Sequence, residues 1–293
     1  MFVINHRLAD GNYFKVVLDV VEISKLSLHE ETVSSALRRL VSLFKKSRFL
    51  AHPVIVDQNS LVVLDGMHRV TALKELGYKY IVAALVDYLH PSIKVYNWYR
   101  TFTSLGKSGE TIYLRLKATF RDVEYHDPKV DREYIVNGVK NGEYSLGLLF
   151  ADGSSITVDS SGSIINDYRL VSLFDHLIQD LGASIGYYAE EEALEALHKG
   201  SVEAVEVTPP LKKKDIIDVA VSGKVFPPKT TRHVIPVRPL YINYPLKYLK
   251  NSVSRDVARK ILGKMLSSRL IVKIKGQVKI DRFYEEDYLY VFI

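Results

Sequence analysis

The stretch that most constrains the fold is Leu61-Val-Val-Leu-Asp65-Gly66-Met67-His68-Arg69, continued by Val70-Thr-Ala-Leu-Lys-Glu-Leu76-Gly77. A short apolar run predicts a strand that stops at a tight acidic turn. The apolar residues that follow recur at helical spacing, up to a glycine where a helix would end. The unit therefore reads strand, turn, helix. Gly66 permits a positive φ or a close backbone approach to a ligand, and a helix opening behind it offers unpaired N–H groups and a positive dipole end to an anion. Arg69 adds a bidentate clamp and His68 a donor or proton carrier. A phosphate-bearing ligand suits such a turn. An ordinary β-α turn, with Asp65 as N-cap and Arg69 in solvent, accounts for the same residues.

At 293 residues, 47% hydrophobic and 25% charged, the chain can bury a sizeable core and has room for two domains. No apolar run approaches the roughly 20 residues that span a bilayer. The N-terminus lacks a basic segment followed by an apolar signal core, so a cytoplasmic protein without a membrane partner is expected. Cysteine is absent, which excludes disulfides, thiolate metal sites and cysteine nucleophiles together. The nine histidines form no HxH or HxxxH pair, so a structural metal is not expected. A net charge of +6 and a pI near 9.1 fit anionic ligands and equally fit a lysine-rich surface. Abundant tyrosine, isoleucine, valine and lysine beside scarce methionine is a balance compatible with a thermophile.

Along the chain, Val16 to Glu22 reads as a strand and Glu30 to Ser47 as a helix with Leu37, Leu40, Val41 and Phe44 on its apolar stripe. Val54 to Val56 and Leu61 to Leu64 are strands about the turn Asp57-Gln-Asn-Ser60, and a strand from Tyr80 to Val86 follows. Beyond residue 100, Tyr144 to Phe150 and Ser155 to Val158 flank an Asp152-Gly153 hairpin turn. Helices are expected over Tyr168 to Leu181, Glu190 to Lys199 and Asp215 to Ser222. The lysine run Lys212-Lys213-Lys214 reads chiefly as solvated surface. After Pro245 come a basic helix (Ser254 to Ser268) and strands Leu270 to Ile274 and Tyr288 to Ile293. The expected fold class is α+β: an N-terminal domain over residues 1–100, a second α+β domain over 101–245, and a small C-terminal extension over 246–293.

A second constellation lies at Pro227-Pro228-Lys229-Thr230-Thr231-Arg232-His233, where two prolines stiffen the backbone ahead of an amine, two hydroxyls, a guanidinium and an imidazole. Together with Asp65-Gly66-Met67-His68-Arg69 it resembles the free-serine kinase branch of the ParB and sulfiredoxin-like superfamily. That branch shows an Asp-Gly-His-His-Arg turn and a late Pro-Lys-(Ser/Thr)-Thr-Arg-His block. His29-Glu30 and Lys94-Val-Tyr96-Asn-Trp98-Tyr99 match at compatible spacing. The resemblance covers about residues 15–100 and 170–237. Met67 departs from it by standing where the first histidine is usual, and residues beyond about 245 lack an obvious counterpart.

The resemblance implies a ParB-like nucleotide-binding N-terminal domain and transfer of a phosphoryl group to free L-serine from ATP, the favoured donor, or from ADP, with Mg2+. The product O-phosphoserine can feed cysteine synthesis. Glu30 would be the general base, and Asp65 would hold the metal or orient the serine hydroxyl. Gly66, Met67, His68 and Arg69, with Lys229 and Thr230, would take the phosphates. Trp98, Thr231, Arg232 and His233 would bind serine, the late block closing the site from the second domain. Without the resemblance, Glu30 reads as a first-turn glutamate that favours the helix dipole. Competing readings are a ParB-type nucleotide-dependent DNA-binding protein, a nuclease, and a serine-sensing regulator. Nucleic acid is not the expected partner, because the region after residue 100 does not read as a helix-rich DNA-binding domain. The oligomeric state is left open by the sequence.

Overall fold

The computed structural model describes residues 1–120, 122–280 and 283–293. The chain divides into two compact units, one of Met1–Val95, Ile216–Pro228 and His233–Ile293, the other of Tyr96–Asp215 and Lys229–Arg232. The C-terminal residues thus belong to the first unit instead of forming a separate extension, and the second unit is not the continuous segment 101–245. Among the described residues no helix is long and apolar enough to cross a membrane.

In the first unit the chain runs β1 (Phe2–Arg7), β2 (Tyr13–Glu22), β3 (Ser27–Leu28), α1 (Ser34–Lys46), β4 (Phe49–Leu50), β5 (Val54–Asp57), β6 (Val62–Asp65), α2 (Met67–Glu75) and β7 (Tyr80–Val86). Six strands form a mixed sheet in the order β1-β2-β7-β5-β6-β3. Strand β7, Tyr-Ile-Val-Ala-Ala-Leu-Val, is apolar on both faces and takes an interior position, as a strand covered on both sides must. Strand β1 alternates, burying Ile4 and His6, and sits at the edge. Asp57 explains the next turn: its carboxylate accepts the Ser60 amide (2.8 Å), the Ser60 hydroxyl (2.6 Å) and the Tyr88 amide (3.1 Å).

The second unit takes the chain after β8 (Lys94–Asn97) through β9 (Tyr99–Thr103), α3 (Gly109–Lys117), β10 (Val123–His126), α4 (Arg132–Asn141), β11 (Tyr144–Phe150), β12 (Ser155–Asp159), α5 (Ile164–Asp180), β13 (Ser184–Tyr188), α6 (Glu190–His198) and β14 (Ala204–Val207). Its sheet, in the order β10-β12-β11-β14-β9-β13, is antiparallel throughout. Ile135, Val136 and Val139 of α4 and Ala193 and Leu197 of α6 pack on Leu149, Val205 and Val207 of that sheet.

The chain continues through α7 (Lys213–Val221) and β15 (Thr231–Val234). It ends in the first unit with β16 (Val237–Leu240), β17 (Tyr244–Pro245), α8 (Arg255–Ser267), β18 (Ile271–Lys275), β19 (Val278–Lys279), β20 (Phe283–Tyr284) and β21 (Tyr288–Phe292). Helix α8 is fastened to β2 by arginines: Arg259 Nε donates to buried Asp19 (2.7 Å) and Arg255 Nε to the Val20 carbonyl (2.8 Å). Strand β17 pairs with β4, and β16, β21 and β18 form a small sheet of their own. These contacts are long-range, which is why the tail read as an appendage.

Two boundaries differ instructively from expectation. Helix α5 opens at Ile164, four residues ahead of Tyr168. Helix α1 opens at Ser34, so Glu30 lies outside it. The Phe226 amide donates to the His29 carbonyl (2.8 Å) and the Glu31 amide to the Phe226 carbonyl (2.9 Å). This tertiary bridge holds residues 29–31 extended and overrides helical propensity.

Candidate active site

Glu30 and Asp65 are placed by the parallel pair β3–β6, in which Ser27 faces Val62 and Leu28 faces Val63. Two residues further along each strand come Glu30 and Asp65, at the same end of the ladder. Glu30 is buried, at 8% exposure, and the two Phe226 hydrogen bonds flank it on either side. Its carboxylate therefore hangs from backbone with little freedom, and a dipole-stabilising first-turn role is ruled out by the later start of α1.

Past Asp65 the chain turns at Gly66, with φ of 101°, into α2. A Cβ there would lie 2.6 Å from Val54 Cγ1 and 2.8 Å from Arg69 Nη2, in a conformation L residues rarely adopt. Gly66→Ala is expected to destabilise the fold by about 1–3 kcal/mol. Urea denaturation checks this, and an unchanged midpoint would contradict the steric constraint at the turn.

Arg69 is engaged inside the unit: Nη1 donates to the carbonyls of His52 (3.1 Å) and Pro53 (2.6 Å), and Nη2 meets Asp65 Oδ2 at 3.2 Å. It positions the turn and its aspartate. Arg238, which the sequence reading passed over, reaches the same Oδ2 with Nη1 and Glu286 with Nε. Burial opposes the Arg238 charge, but Asp65 and Glu286 outweigh it and hold the guanidinium above its usual range. His68 Nε2 accepts the Val33 amide at 3.0 Å, tying the residue before α1 to the first turn of α2. Met67 occupies the first position of α2. Beside His68, an open groove of about 560 Å³ is lined by Ser35, Ala36, Arg39, Leu40 and Leu43 of α1.

Behind Glu30, His29 is fully buried and its Nδ1 donates to the Val63 carbonyl at 2.7 Å. Burial drives its pKa below the ordinary value, against the pull of Glu30 and of the Val63 hydrogen bond. An imidazole driven down on folding binds protons more readily when unfolded. Its contribution to stability is therefore complete above pH 6.5 and is lost as pH falls below it. Wild type should lose more stability than His29→Gln between about pH 7.5 and 5.5; parallel denaturation profiles would contradict this. The His233 ring stands edge-on to His29 (centroids 5.3 Å apart), with Nε2 2.7 Å from the Tyr88 hydroxyl. The first unit thus gathers Glu30, Asp65, Gly66, Met67, His68, Arg69 and His233.

Trp98 and Lys229–Arg232 fall in the second unit. Trp98 Nε1 donates to the Thr231 carbonyl at 3.1 Å. The Arg232 guanidinium lies over the rings of Tyr96 (4.7 Å) and Trp98 (5.4 Å). Lys229 takes a left-handed φ of 63° after the two prolines and sets its amine 5.7 Å from the centre of the Tyr187 ring. Thr230 is fully buried. Under this cluster Arg100, wholly buried, donates to Asp175 (3.2 Å) and to the Trp98 carbonyl (2.8 Å), with Glu206 3.6 Å away. Burial, then the neighbouring Asp175 charge, pushes the Glu206 carboxyl well up. Tyr187 and the Arg100 group escaped the sequence reading; an arginine within the apolar strand Tyr99–Thr103 was the available signal. Among the described residues, no group of three or more histidine or carboxylate side chains is placed to hold a metal ion.

No family model matches the chain. In sequence it is similar to an ATP-dependent L-serine kinase of Staphylothermus marinus, 29% identical over 237 residues that cover 79% of this chain and 90% of the relative. It is also similar to an ADP-dependent L-serine kinase of Thermococcus kodakarensis, 25% identical over 240 residues, 80% of this chain and 94% of the relative. In structure it is similar to a free serine kinase solved as an E30A mutant with AMP, at a TM-score of 0.68 and 25% identity, covering 80% of this chain and 94% of that one.

Proposed function

We propose that this chain is a nucleotide-dependent free L-serine kinase, a phosphotransferase that converts L-serine to O-phospho-L-serine. The carrying observation is the placement of buried Glu30 and of Asp65 at one end of the β3–β6 pair, directly before a glycine turn and a helix N-terminus. The similarity to L-serine kinases over most of their length supports the same reading. Phosphoryl transfer asks a protein mainly for positioning and charge neutralisation, with one group to accept a proton.

Glu30 takes the proton from the serine hydroxyl as the oxygen bonds to phosphorus and the bond from phosphorus to the departing nucleotide breaks. A base held between two backbone hydrogen bonds loses little freedom in reaching that geometry. Asp65 orients the acceptor, itself steadied by Arg69 and Arg238. Gly66 and the start of α2 cradle the phosphates, with His68 at their side, and the groove along α1 takes the nucleoside. Trp98, Thr231, Arg232 and His233 are assigned to serine, and Lys229 and Thr230 to phosphate, as the resemblance implies.

Two guanidinium groups already balance Asp65, and no carboxylate cluster accompanies it among the described residues. A magnesium ion would accordingly be held by Asp65 with donor phosphates and water, which suits an ion that keeps several waters. It would neutralise charge on the transferred group.

The donor is tested by incubating the protein and Mg2+ with ATP or with ADP, with and without L-serine. Serine-dependent formation of ADP from ATP, the favoured case, or of AMP from ADP is expected. Nucleotide turnover indifferent to serine would overturn the proposal.

A further inference from the structure

We propose that the C-terminal region carries a binding surface for single-stranded nucleic acid on one face of the β18–β21 pair. The charge of the chain is partitioned: residues 246–293 hold 11 Lys/Arg against 5 Asp/Glu, while residues 1–245 hold 29 of each, so the whole net +6 lies in the last 48 positions. Three of those cations serve the fold, Arg255 and Arg259 on the second strand and Arg269 on the carbonyls of Tyr241 and Ile242. Seven lysines are exposed, against two exposed acids among the described residues, Asp256 and Asp287.

Pairing concentrates part of this charge on a patterned surface. Lys273 faces Tyr290 and Lys275 faces Tyr288 in antiparallel register. Directly opposed residues, and residues two apart, share a face of a sheet. A row of two lysines on β18 therefore lies beside a row of two tyrosines on β21 on one face, while Ile274, Leu289 and Val291 pack inward. His6 props the rings: its Nδ1 lies 2.9 Å from the Tyr290 hydroxyl and its ring centre 4.9 Å from that of Tyr288. The Lys273 amine rests 3.9 Å over the Tyr288 ring, cation and aromatic already adjacent.

An aromatic row beside a cationic row suits a single strand, whose bases stack on rings while its phosphates meet amines. Tyrosines two apart on one strand stand about 6.6 Å from each other, a spacing for separate bases. The chain after residue 100 does not read as a helix-rich DNA-binding domain, and this surface lies elsewhere, on the C-terminal strands. It uses no residue assigned to phosphoryl transfer, so loss of either activity would leave the other intact.

The test is fluorescence anisotropy of the full chain with a labelled single-stranded oligonucleotide at about 50 mM and 200 mM salt. Binding that weakens with salt, falls at least tenfold in Lys273→Glu/Lys275→Glu, and falls roughly 5- to 150-fold in Tyr290→Leu with an unchanged salt slope is expected. No binding at the lower salt, equal binding by the charge-reversed variant, or attachment to anionic lipid vesicles without oligonucleotide binding would overturn it.

Discussion

Glu30→Gln is expected to lower turnover by about 10²- to 10⁴-fold, the usual contribution of a positioned general base. Glutamine keeps the shape and polarity of the side chain, and the backbone on either side of residue 30 is tied to Phe226 by hydrogen bonds. Fold and substrate binding should therefore persist, and the loss should fall on kcat with KM nearly unchanged. Steady-state phosphoserine formation and a thermal melt measured side by side separate chemistry from stability. Near-normal turnover in a folded variant would remove Glu30 from this role and leave the placement at the β3–β6 end without its main consequence.

Loss of the Arg238 charge is expected to remove much of the fold's stability. Its guanidinium joins Asp65 to Glu286, and both Arg238 and Glu286 are buried. Breaking a buried ionic group by removing one partner typically costs about 3–5 kcal/mol, because the remaining charge has neither water nor a counterion. Asp65 is partly exposed, so most of the penalty falls on Glu286. Arg238→Met should show the full loss in urea denaturation. Arg238→Lys should recover part of it at most, since a single amine lacks the fork that serves two carboxylates at once. Adding Glu286→Gln to Arg238→Met should restore some stability. A change below about 1 kcal/mol in Arg238→Met would show that the three charges are not a coupled group.

What could be read from the sequence was what short-range physics decides. The hairpin about Asp152-Gly153 is closed by its own residues: the Ser154 amide and hydroxyl donate to Asp152 (2.9 and 2.5 Å), and Gly153 takes φ of 93°. Strand β11 accordingly has the expected bounds, Tyr144–Phe150. The glycine turn at residue 66 is legible for the same reason. Glu30 is different, because its conformation is set by Phe226, nearly two hundred positions away, and local pattern favours the helix that residue 30 does not join. Arg238 sits in Val-Arg-Pro-Leu, all four residues buried, where the pairing that makes an arginine acceptable comes from two other parts of the chain. The block Lys229–His233 reads as one motif, yet His233 belongs to the first unit with Tyr88 and His29, and Lys229–Arg232 to the second with Trp98 and Tyr187. No periodicity announces such a division.

The same distinction explains the C-terminal region. Helix α8 and strands β18 and β21 were each legible from local spacing, but their attachment to β2 depends on Asp19 accepting arginines some 240 positions later. Charge partition is a sequence property; which cations remain exposed is not, since Arg255, Arg259 and Arg269 are spent on backbone and carboxylate contacts.

The measurement that bears most directly on the central claim is 31P NMR of the protein with L-serine, Mg2+ and ATP, and in parallel with ADP. Growth of a phosphomonoester signal matching O-phospho-L-serine, absent without serine and strongly diminished in Glu30→Gln, is the predicted result. With either donor, a spectrum showing only nucleotide signals, or only inorganic phosphate released at a rate indifferent to serine, would contradict it.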